Sequence, residues 1–247
     1  MKKPTISGEG TILVVDDDSS TRRALRVILS DMGYTVIEAS RGEEALSLVR
    51  VTWVDAVLLD LDMPGMGGVE ACKSIRRVIT RLPILMLSIV DDEDDMVTAF
   101  DAGADDYITK PFQLRMLTAR LRSAVRRRNA TQNDRDMPIR HGDLELDPVK
   151  YYVKKNGRQI HLTPKEFEML HYLMNHAGEP IPHERLLRSI WGPGYGREFE
   201  YLRTYVRQIR MKIEDDPAAP RYLLTEANVG YRFNDEQLAN SPGPALV

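Results

Sequence analysis

Val54-Asp-Ala-Val-Leu-Leu-Asp60-Leu-Asp-Met-Pro64-Gly65 is the stretch that decides how the first half of this chain reads. A mostly apolar run ends abruptly at Asp60 and breaks into Met63-Pro64-Gly65, the pattern of a short strand buried on both faces and followed by a tight turn. Asp60 is therefore expected at the carboxyl end of a strand. In an open parallel α/β sheet, the crevice beyond the strand ends is where loops and helix N-termini converge, and chemistry is placed there.

Working outward, residues 11–15 form a buried-strand run that ends in Asp16, Asp17 and Asp18. Ser19 and Ser20 are expected to cap the following helix, whose apolar positions Ala24, Leu25, Ile28 and Leu29 keep the helical period until Gly33. Strands are predicted over 34–39, 54–60, 83–88 and 107–109, with helices over 44–50 (capped by Ser40), 68–79, 93–100 and 112–127. This alternation predicts an α/β fold, a five-stranded parallel doubly wound sheet between helices.

The strand ends then carry Asp16 and Asp17, Asp60, Ser88, and Lys110 with Pro111 along one sheet edge. One Asp after a strand is usually a turn residue or a helix cap. Five such groups, spread over four strand ends, point to a site. Clustered carboxylates repel one another unless a cation is bound. Oxygen ligands without His or Cys suit Mg²⁺, which keeps waters for a phosphoryl group. Lysine supplies a point charge for phosphate oxygens, and a carboxylate beside the metal can accept a phosphoryl group.

Composition bounds the rest. The chain has 247 residues, 43% of them apolar and 29% charged, enough for two soluble domains of ordinary size. A single cysteine, Cys72, excludes a disulfide framework, and no Cys/His cluster has zinc spacing. The N-terminal residues lack a signal-peptide core and no apolar stretch is long enough to span a membrane, so the expected location is cytoplasmic, without membrane insertion. Net charge is −3 and neither half is basic overall, so a nucleic-acid footprint must be a local stripe.

Residues 10–128 resemble the receiver domain of bacterial two-component response regulators, on the blocks Ile12-Leu-Val-Val-Asp-Asp-Asp18, Leu58-Leu-Asp-Leu-Asp-Met-Pro-Gly65, Leu85-Met-Leu-Ser88 and Gly103-Ala-Asp-Asp-Tyr-Ile-Thr-Lys-Pro-Phe112. The resemblance implies a flavodoxin-like strand order 2-1-3-4-5. Asp60 becomes the phospho-acceptor from a sensor histidine kinase. Mg²⁺ is implied on Asp17, Asp60 and the backbone carbonyl of Asp62, with Asp16 acting through water. Ser88 and Tyr107 form the switch pair, Lys110 contacts the phosphoryl group, and the Lys110-Pro111 bond is cis.

Two positions depart from the family pattern. Ile89 stands where Ala or Gly is usual and is expected to narrow access to Asp60. Asp62 adds a carboxylate able to orient or repel an attacking water. Together they predict a long phosphoryl lifetime. The subfamily dimerises through its fourth helix, fifth strand and fifth helix, and Asp105, Asp106, Arg120 and Arg127 match four of its ion-pairing positions. Met96 and Met116 occupy the third pair, so a hydrophobic contact is expected there.

Past Arg126-Arg-Arg the chain turns polar, marking a linker over 129–138. Gly142-Asp-Leu-Glu-Leu-Asp alternates as one half-buried strand, and residues 151–162 read as a hairpin around Asn156-Gly157. Thr163-Pro-Lys-Glu166 opens a helix with a capping box. Residues 184–190 and 200–213 give two more helices, and 221–225 with 229–233 a closing hairpin. On the last helix Arg203, Arg207 and Arg210 line one sector beside the apolar Leu202, Val206, Ile209 and Ile213, with Thr204, Gln208 and Met211 extending the side read as exposed. A basic helix after another helix and before a two-stranded hairpin is the arrangement of a winged helix-turn-helix.

Residues 139–234 resemble the winged-helix effector domain of the osmoregulatory and phosphate-regulatory (OmpR/PhoB-type) subfamily, on Leu162-Thr-Pro-Lys-Glu-Phe-Glu-Met-Leu170, Val206-Arg-Gln-Ile-Arg-Met-Lys-Ile213 and Gly230-Tyr-Arg-Phe233. That resemblance implies double-stranded promoter DNA as partner, contacted by Arg203, Thr204, Arg207, Gln208, Arg210 and Lys212, and a loop over 191–199 facing RNA polymerase. Gln208, at a position often held by Arg, is expected to favour adenine. Ala227 replaces a common wing arginine. The Trp191-Gly-Pro and Glu200-Tyr-Leu-Arg details look most like regulators of the potassium-transport branch. Residues 235–247 are expected to be a disordered tail.

The expected protein is thus a transcription regulator and not an enzyme, homodimeric on activation, with tandem half-sites as target. The competing enzyme reading is an aspartate-nucleophile phosphatase, since Asp60-Leu-Asp62 reproduces that class's paired aspartates. Pro64 at a position such enzymes give to a small β-branched residue, and the lack of a substrate cap, argue against it.

Overall fold

A computed structural model describes residues 9–89, 92–129 and 137–235, the last three of the second span's side chains excepted. Most of the expected linker and tail lies outside the described residues. The chain splits into two compact units, Met1–Ala130 and Thr131–Val247.

The first unit follows the order β1 (Gly10–Val15), α1 (Ser19–Asp31), β2 (Tyr34–Ala39), α2 (Gly42–Val51), β3 (Ala56–Asp60), α3 (Gly68–Val78), β4 (Ile84–Ser88), α4 (Glu93–Asp101), β5 (Asp106–Thr109) and α5 (Leu114–Asn129). Its strands form one parallel sheet in the order β2-β1-β3-β4-β5. The two strands β3 and β4 are buried at every position, which is why they read as unbroken apolar runs, while the edge strand β2 mixes exposed and buried residues. Ile12, Val14, Leu58, Leu85 and Leu87 pack one sheet face against Leu25 and Leu29 of α1 and Leu117 and Leu121 of α5.

Register fixes where the strands end. Val15 pairs with Leu59, Asp60 with Leu87 and Ser88 with Thr109. Backbone bonds run past the ends as well, from Asp16 N to Ala39 O, Leu61 N to Leu87 O and Lys110 N to Ser88 O. The residues just beyond the sheet are therefore held nearly as firmly as those within it.

Helix starts differ from the sequence reading at two places. Asp18, not Ser19 or Ser20, caps α1: it is extended and accepts from the amides of Ser20 and Thr21. A carboxylate answers the free amides and the helix dipole together, which displaces the serines into the first turn. Ser40 does not cap α2; its amide and hydroxyl donate to Glu44 instead.

In the second unit a four-stranded antiparallel sheet comes first, β6 (Ile139–His141), β7 (Leu144–Asp147), β8 (Tyr152–Lys155) and β9 (Arg158–Ile160), in sequence order. The single strand expected over 142–147 is really half of a hairpin. Gly142, at φ 58°, turns the chain so that His141 faces Leu144. Next come α6 (Pro164–Asn175), β10 (Ile181–Pro182), α7 (His183–Ile190), α8 (Phe199–Ile213), β11 (Leu223–Glu226) and β12 (Gly230–Phe233). The closing hairpin gains β10 as a third strand, in the order β10-β12-β11. Two residues, one of them proline, carry no periodicity that would reveal such a strand.

One glycine fixes the geometry around Asp60. A Cβ on Gly68 would lie 2.1 Å from the Asp60 carbonyl oxygen and 2.7 Å from Leu61 Cα, so α3 can begin against the end of β3 only without a side chain. Gly68→Ala should lower the stability of the first unit by about 2 kcal/mol or more through backbone displacement. Gly67→Ala, where the nearest atom is 3.8 Å away, should stay within about 0.5 kcal/mol of the wild type. Calorimetry of the two variants checks the contrast.

Candidate phosphoryl-acceptor site and nucleic-acid interface

At the carboxyl edge of the parallel sheet, Lys110 Nζ lies 2.6 Å from Asp60 Oδ1 and 2.8 Å from Asp16 Oδ2. One carboxylate oxygen from each of Asp16, Asp17 and Asp60 falls within 4.8 Å of the others. Asp16 and Asp60 are 1% and 4% exposed, whereas Asp17 opens to solvent. The loop bearing the first two is pinned from within: Arg22 Nη1 donates to the carbonyls of Asp16 and Asp17 at 2.7 and 3.0 Å, and Asp18 N donates to Asp16 Oδ1. Sequence reasoning missed Arg22, whose one signal is its place in the first turns of the helix after the acidic loop.

Burial pushes the Asp60 carboxyl up to about 6, with the nearby Asp16 and Asp62 charges adding to it and Lys110 opposing. For Lys110, burial disfavours the ammonium, but its hydrogen bonds to Asp16 and Asp60 outweigh that and raise its pKa. The arrangement is short of positive charge: one lysine faces three carboxylates. An all-oxygen donor set of this spacing fits a hard divalent cation. A carboxylate so placed can act as a nucleophile toward phosphorus, with Lys110 beside the transferred oxygens.

Ser88, at the end of β4, is fully buried, and Tyr107 of β5 is buried as well. Asp62 is exposed. The Ile89 side chain, one residue past Ser88, is 70% exposed.

The residues read as a dimer face divide. Asp105 is 5% exposed and works inside the unit, accepting from Arg76 Nη2 and from the amide of Ile84, both at 2.8 Å. Arg76 also donates to the carbonyls of Gly103, Thr80 and Leu82. A buried carboxylate must find its donors within the fold, and Asp105 finds them on α3 and at the start of β4. Asp106 pairs with Arg120 of the same chain at 3.0 Å, and Arg120 Nη1 also donates to the Tyr107 carbonyl. Met116 is exposed and Met96 half-buried. The Arg127 side chain lies outside the described residues.

In the second unit, α8 turns a narrower face outward than its sequence implied. Arg203, Arg207 and Met211 are exposed. Thr204 and Gln208 are each 5% exposed, so the base contacts expected of them, including an adenine preference from Gln208, are corrected. They lie toward the helix side on which Tyr201 and Tyr205 meet the Trp191 ring, at centroid distances of 5.9 and 5.2 Å. Arg210 is committed to the closing hairpin, donating to Leu223 O and Thr225 Oγ1. Lys212 donates to both oxygens of Glu166, the capping-box residue of α6, at 2.6 Å. In the loop after α7, Trp191 and Tyr195 are buried while Pro193, Gly194 and Arg197 face solvent, as does Phe199 at the start of α8. No helix among the described residues is long and apolar enough to cross a membrane.

A parallel sheet with an acidic pocket and a lysine at its switch edge, followed by a helix pair and a three-stranded wing, defines a receiver joined to a winged-helix effector. Residues 12–122 match the response regulator receiver domain and residues 157–233 the C-terminal domain of transcriptional regulatory proteins. The chain belongs to the DNA-binding response regulators of two-component systems, in the OmpR/PhoB-type subfamily. It is similar to the transcriptional regulatory protein KdpE of Mycobacterium tuberculosis, 43% identical over 222 residues that span 90% of this chain and 98% of the relative. The KDP operon transcriptional regulatory protein KdpE of Escherichia coli is 38% identical over the same shares of both chains. Among solved structures, a variant of RitR aligns over 92% of this chain and 99% of its own, with TM-score 0.73 and 25% identity.

The raised Asp60 pKa has a sign that can be measured. A carboxyl whose folded pKa lies above its unfolded value contributes stability below the unfolded pKa and loses it as pH rises through the folded one. With divalent cations chelated, Asp60→Asn should therefore stabilise the first unit at pH 7.5, by about 1–3 kcal/mol. The gain should shrink as pH falls through about 6 and vanish near the ordinary carboxylate value of 3.8. Urea melts of both proteins across that range check it.

Proposed function

We propose that Asp60 accepts a phosphoryl group from a sensor histidine kinase and that this controls how the winged-helix domain engages promoter DNA. The observation that carries the reading is Lys110 bridging Asp16 and Asp60 at the mouth of a three-carboxylate pocket. An Asp60 oxygen attacks phosphorus, the P–N bond of the kinase phosphohistidine breaks, and the electron pair returns to the imidazole. Asp16, Asp17, Asp60 and the Asp62 carbonyl would hold Mg²⁺, which when bound offsets the charge that gathers there. Lys110 exchanges part of its contact with Asp60 for the new phosphoryl oxygens, and Ser88 and Tyr107 rearrange toward them. Asp62, exposed two residues past the acceptor, is the residue through which an unusual phosphoryl lifetime would act.

The phosphorylated receiver pairs two-fold through the face of α4, β5 and α5. In this chain that face carries Asp105, Asp106 and Arg120, with both aspartates paired inside their own chain, and the methionines Met96 and Met116. Pairing tethers two winged helices over tandem half-sites, raising effective concentration without new DNA contacts, and leaves the loop after α7 toward RNA polymerase.

Solution mass and DNA affinity, measured with Mg²⁺ before and after adding a beryllofluoride phosphoryl mimic, test this reading. Wild type should become dimeric and bind promoter DNA at least tenfold more tightly, and Asp60→Asn should do neither. A response that survives in Asp60→Asn would refute the acceptor assignment. Met116→Glu should weaken the activated dimer about tenfold, because it places a charge in an apolar contact; sedimentation of the mimic-bound protein reads this directly.

A further inference from the structure

Two of the three carboxylates at the sheet edge are placed by bonds to their own side chains. Asp16 is held at both oxygens, Oδ1 by the amide of Asp18 at 2.9 Å and Oδ2 by Lys110 at 2.8 Å, and Asp60 accepts from Lys110. Asp17 is reached differently. Its side chain opens to solvent, and the grip is on its backbone: Arg22 Nη1 donates to the carbonyls of Asp16 and Asp17 at 2.7 and 3.0 Å. Those two carbonyls belong to the peptide planes on either side of the Asp17 Cα. A residue has only two soft backbone torsions, each relating its Cα to one of these rigid planes, so a single guanidinium nitrogen bound to both oxygens restrains φ and ψ of Asp17 together. The direction in which its Cβ leaves the chain is set with them. Both carbonyls precede Asp18, the cap of α1, whose own carbonyl already accepts from Arg22 N at 3.1 Å. The hydrogen-bond ladder of the helix therefore begins after them, and their orientation is left to Arg22.

Arg22 is in turn held from the sheet. Glu38 of β2 faces Val14 of β1 in register, and one step further along the same strand pair Asp16 N donates to Ala39 O at the start of the acidic loop. The Glu38 carboxylate lies 3.7 Å from Arg22 Nε and 3.2 Å from Nη1 of Arg26, one turn later on α1. Glu38 and Arg26 are partly open to solvent, so these pairs are screened and add little stability. Their effect on geometry is larger. A guanidinium is a rigid planar fork, and drawing its Nε edge toward β2 decides where Nη1 points. Charge alone would work against the site, because a guanidinium beside the acidic loop repels a divalent cation and Glu38 only offsets it. An Arg22 that acts by charge and an Arg22 that acts by geometry thus change cation affinity in opposite directions.

We infer that Arg22 is the positioning residue for Asp17, presenting its carboxylate to the divalent cation of the acceptor site, and that Glu38 orients Arg22 for that task. The inference rests on the cation-assisted acceptor reading of Asp60. Groups standing behind a metal ligand govern affinity without touching the metal, because a ligand already held in place gives up less freedom on binding.

Calorimetric titration of the full chain with Mg²⁺, alongside thermal melts in chelator that establish each variant as folded at the titration temperature, tests it. Arg22→Ala should bind Mg²⁺ about tenfold more weakly. Arg22→Lys, which keeps the charge and loses the fork, should bind severalfold more weakly. Glu38→Ala should also weaken binding severalfold, and Glu38→Gln, which can still accept from Arg22, should recover most of that loss. Beryllofluoride uptake by Arg22→Ala should return at saturating Mg²⁺, because Asp60 and Lys110 are unchanged. Should Arg22→Ala melt too low to titrate, the two Glu38 variants carry the test from the edge strand. Tighter Mg²⁺ binding by Arg22→Ala, or equal losses in Glu38→Ala and Glu38→Gln, would assign the effect to charge and overturn the inference. Wild-type affinity in every Arg22 and Glu38 variant, with Mg²⁺ still lost in Asp17→Asn, would overturn it alone. Mg²⁺ binding that survives unchanged in both Asp17→Asn and Asp60→Asn would overturn the acceptor reading together with it.

Discussion

The charge balance at the carboxyl edge of the parallel sheet is the constraint on which the receiver depends. Two buried carboxylates, Asp16 and Asp60, share the Lys110 ammonium, and a third, Asp17, stands within reach of both. Isolated charges buried this deeply are costly, and one lysine does not neutralise three acids. The pocket answers in the only ways open to it: the Asp60 carboxyl is raised, Lys110 is held charged, and the loop carbonyls are tied to Arg22. A site left short of positive charge in this way is suited to a divalent cation and to a reaction that brings new anionic oxygens to Lys110. The fold places it there because the parallel register ends β1, β3 and β5 on the same side and extends their hydrogen bonding one residue past each end.

From that edge the structure reaches outward through β5. Asp106 and Tyr107 are adjacent, and Arg120 holds the carboxylate of the first and the carbonyl of the second. A change at Tyr107 is therefore felt by Arg120. Asp105, one residue earlier, belongs to a different system altogether, locked to Arg76 and the start of β4. Two neighbouring aspartates thus serve opposite ends of the strand, one bracing the core and the other facing α5.

Much of this was legible in the sequence, and for identifiable reasons. Unbroken apolar runs ending in acids mark strands covered on both faces, which located Asp16, Asp60, Ser88 and Lys110 at one edge, and the strand order followed the family resemblance. What periodicity does not carry is which polar residues turn inward. Asp105 and Asp106 look alike as letters, and only the position of Arg76, far away in sequence, separates them. On α8 one apolar face was evident, but the second buried side, where Tyr201 and Tyr205 meet Trp191, was not, so Thr204 and Gln208 were read as exposed. Strand β10 was invisible because two residues have no pattern.

The internal pairing of cations on α8 bears on why such a domain would be coupled to a receiver at all. A helix whose basic residues all faced DNA would bind any duplex tightly, since backbone affinity grows with the number of phosphates neutralised. Here Arg210 and Lys212 are spent on the wing and on α6, and Arg203 is partly balanced by Glu200. On the reading proposed above, fewer cations of the helix are left for phosphates, which would lower the sequence-independent part of a single copy's affinity. The proposed dimer would make this good, because tethering multiplies affinity at paired sites without strengthening binding elsewhere. Weakness in the single domain is what would give the proposed phosphorylation of the receiver something to control.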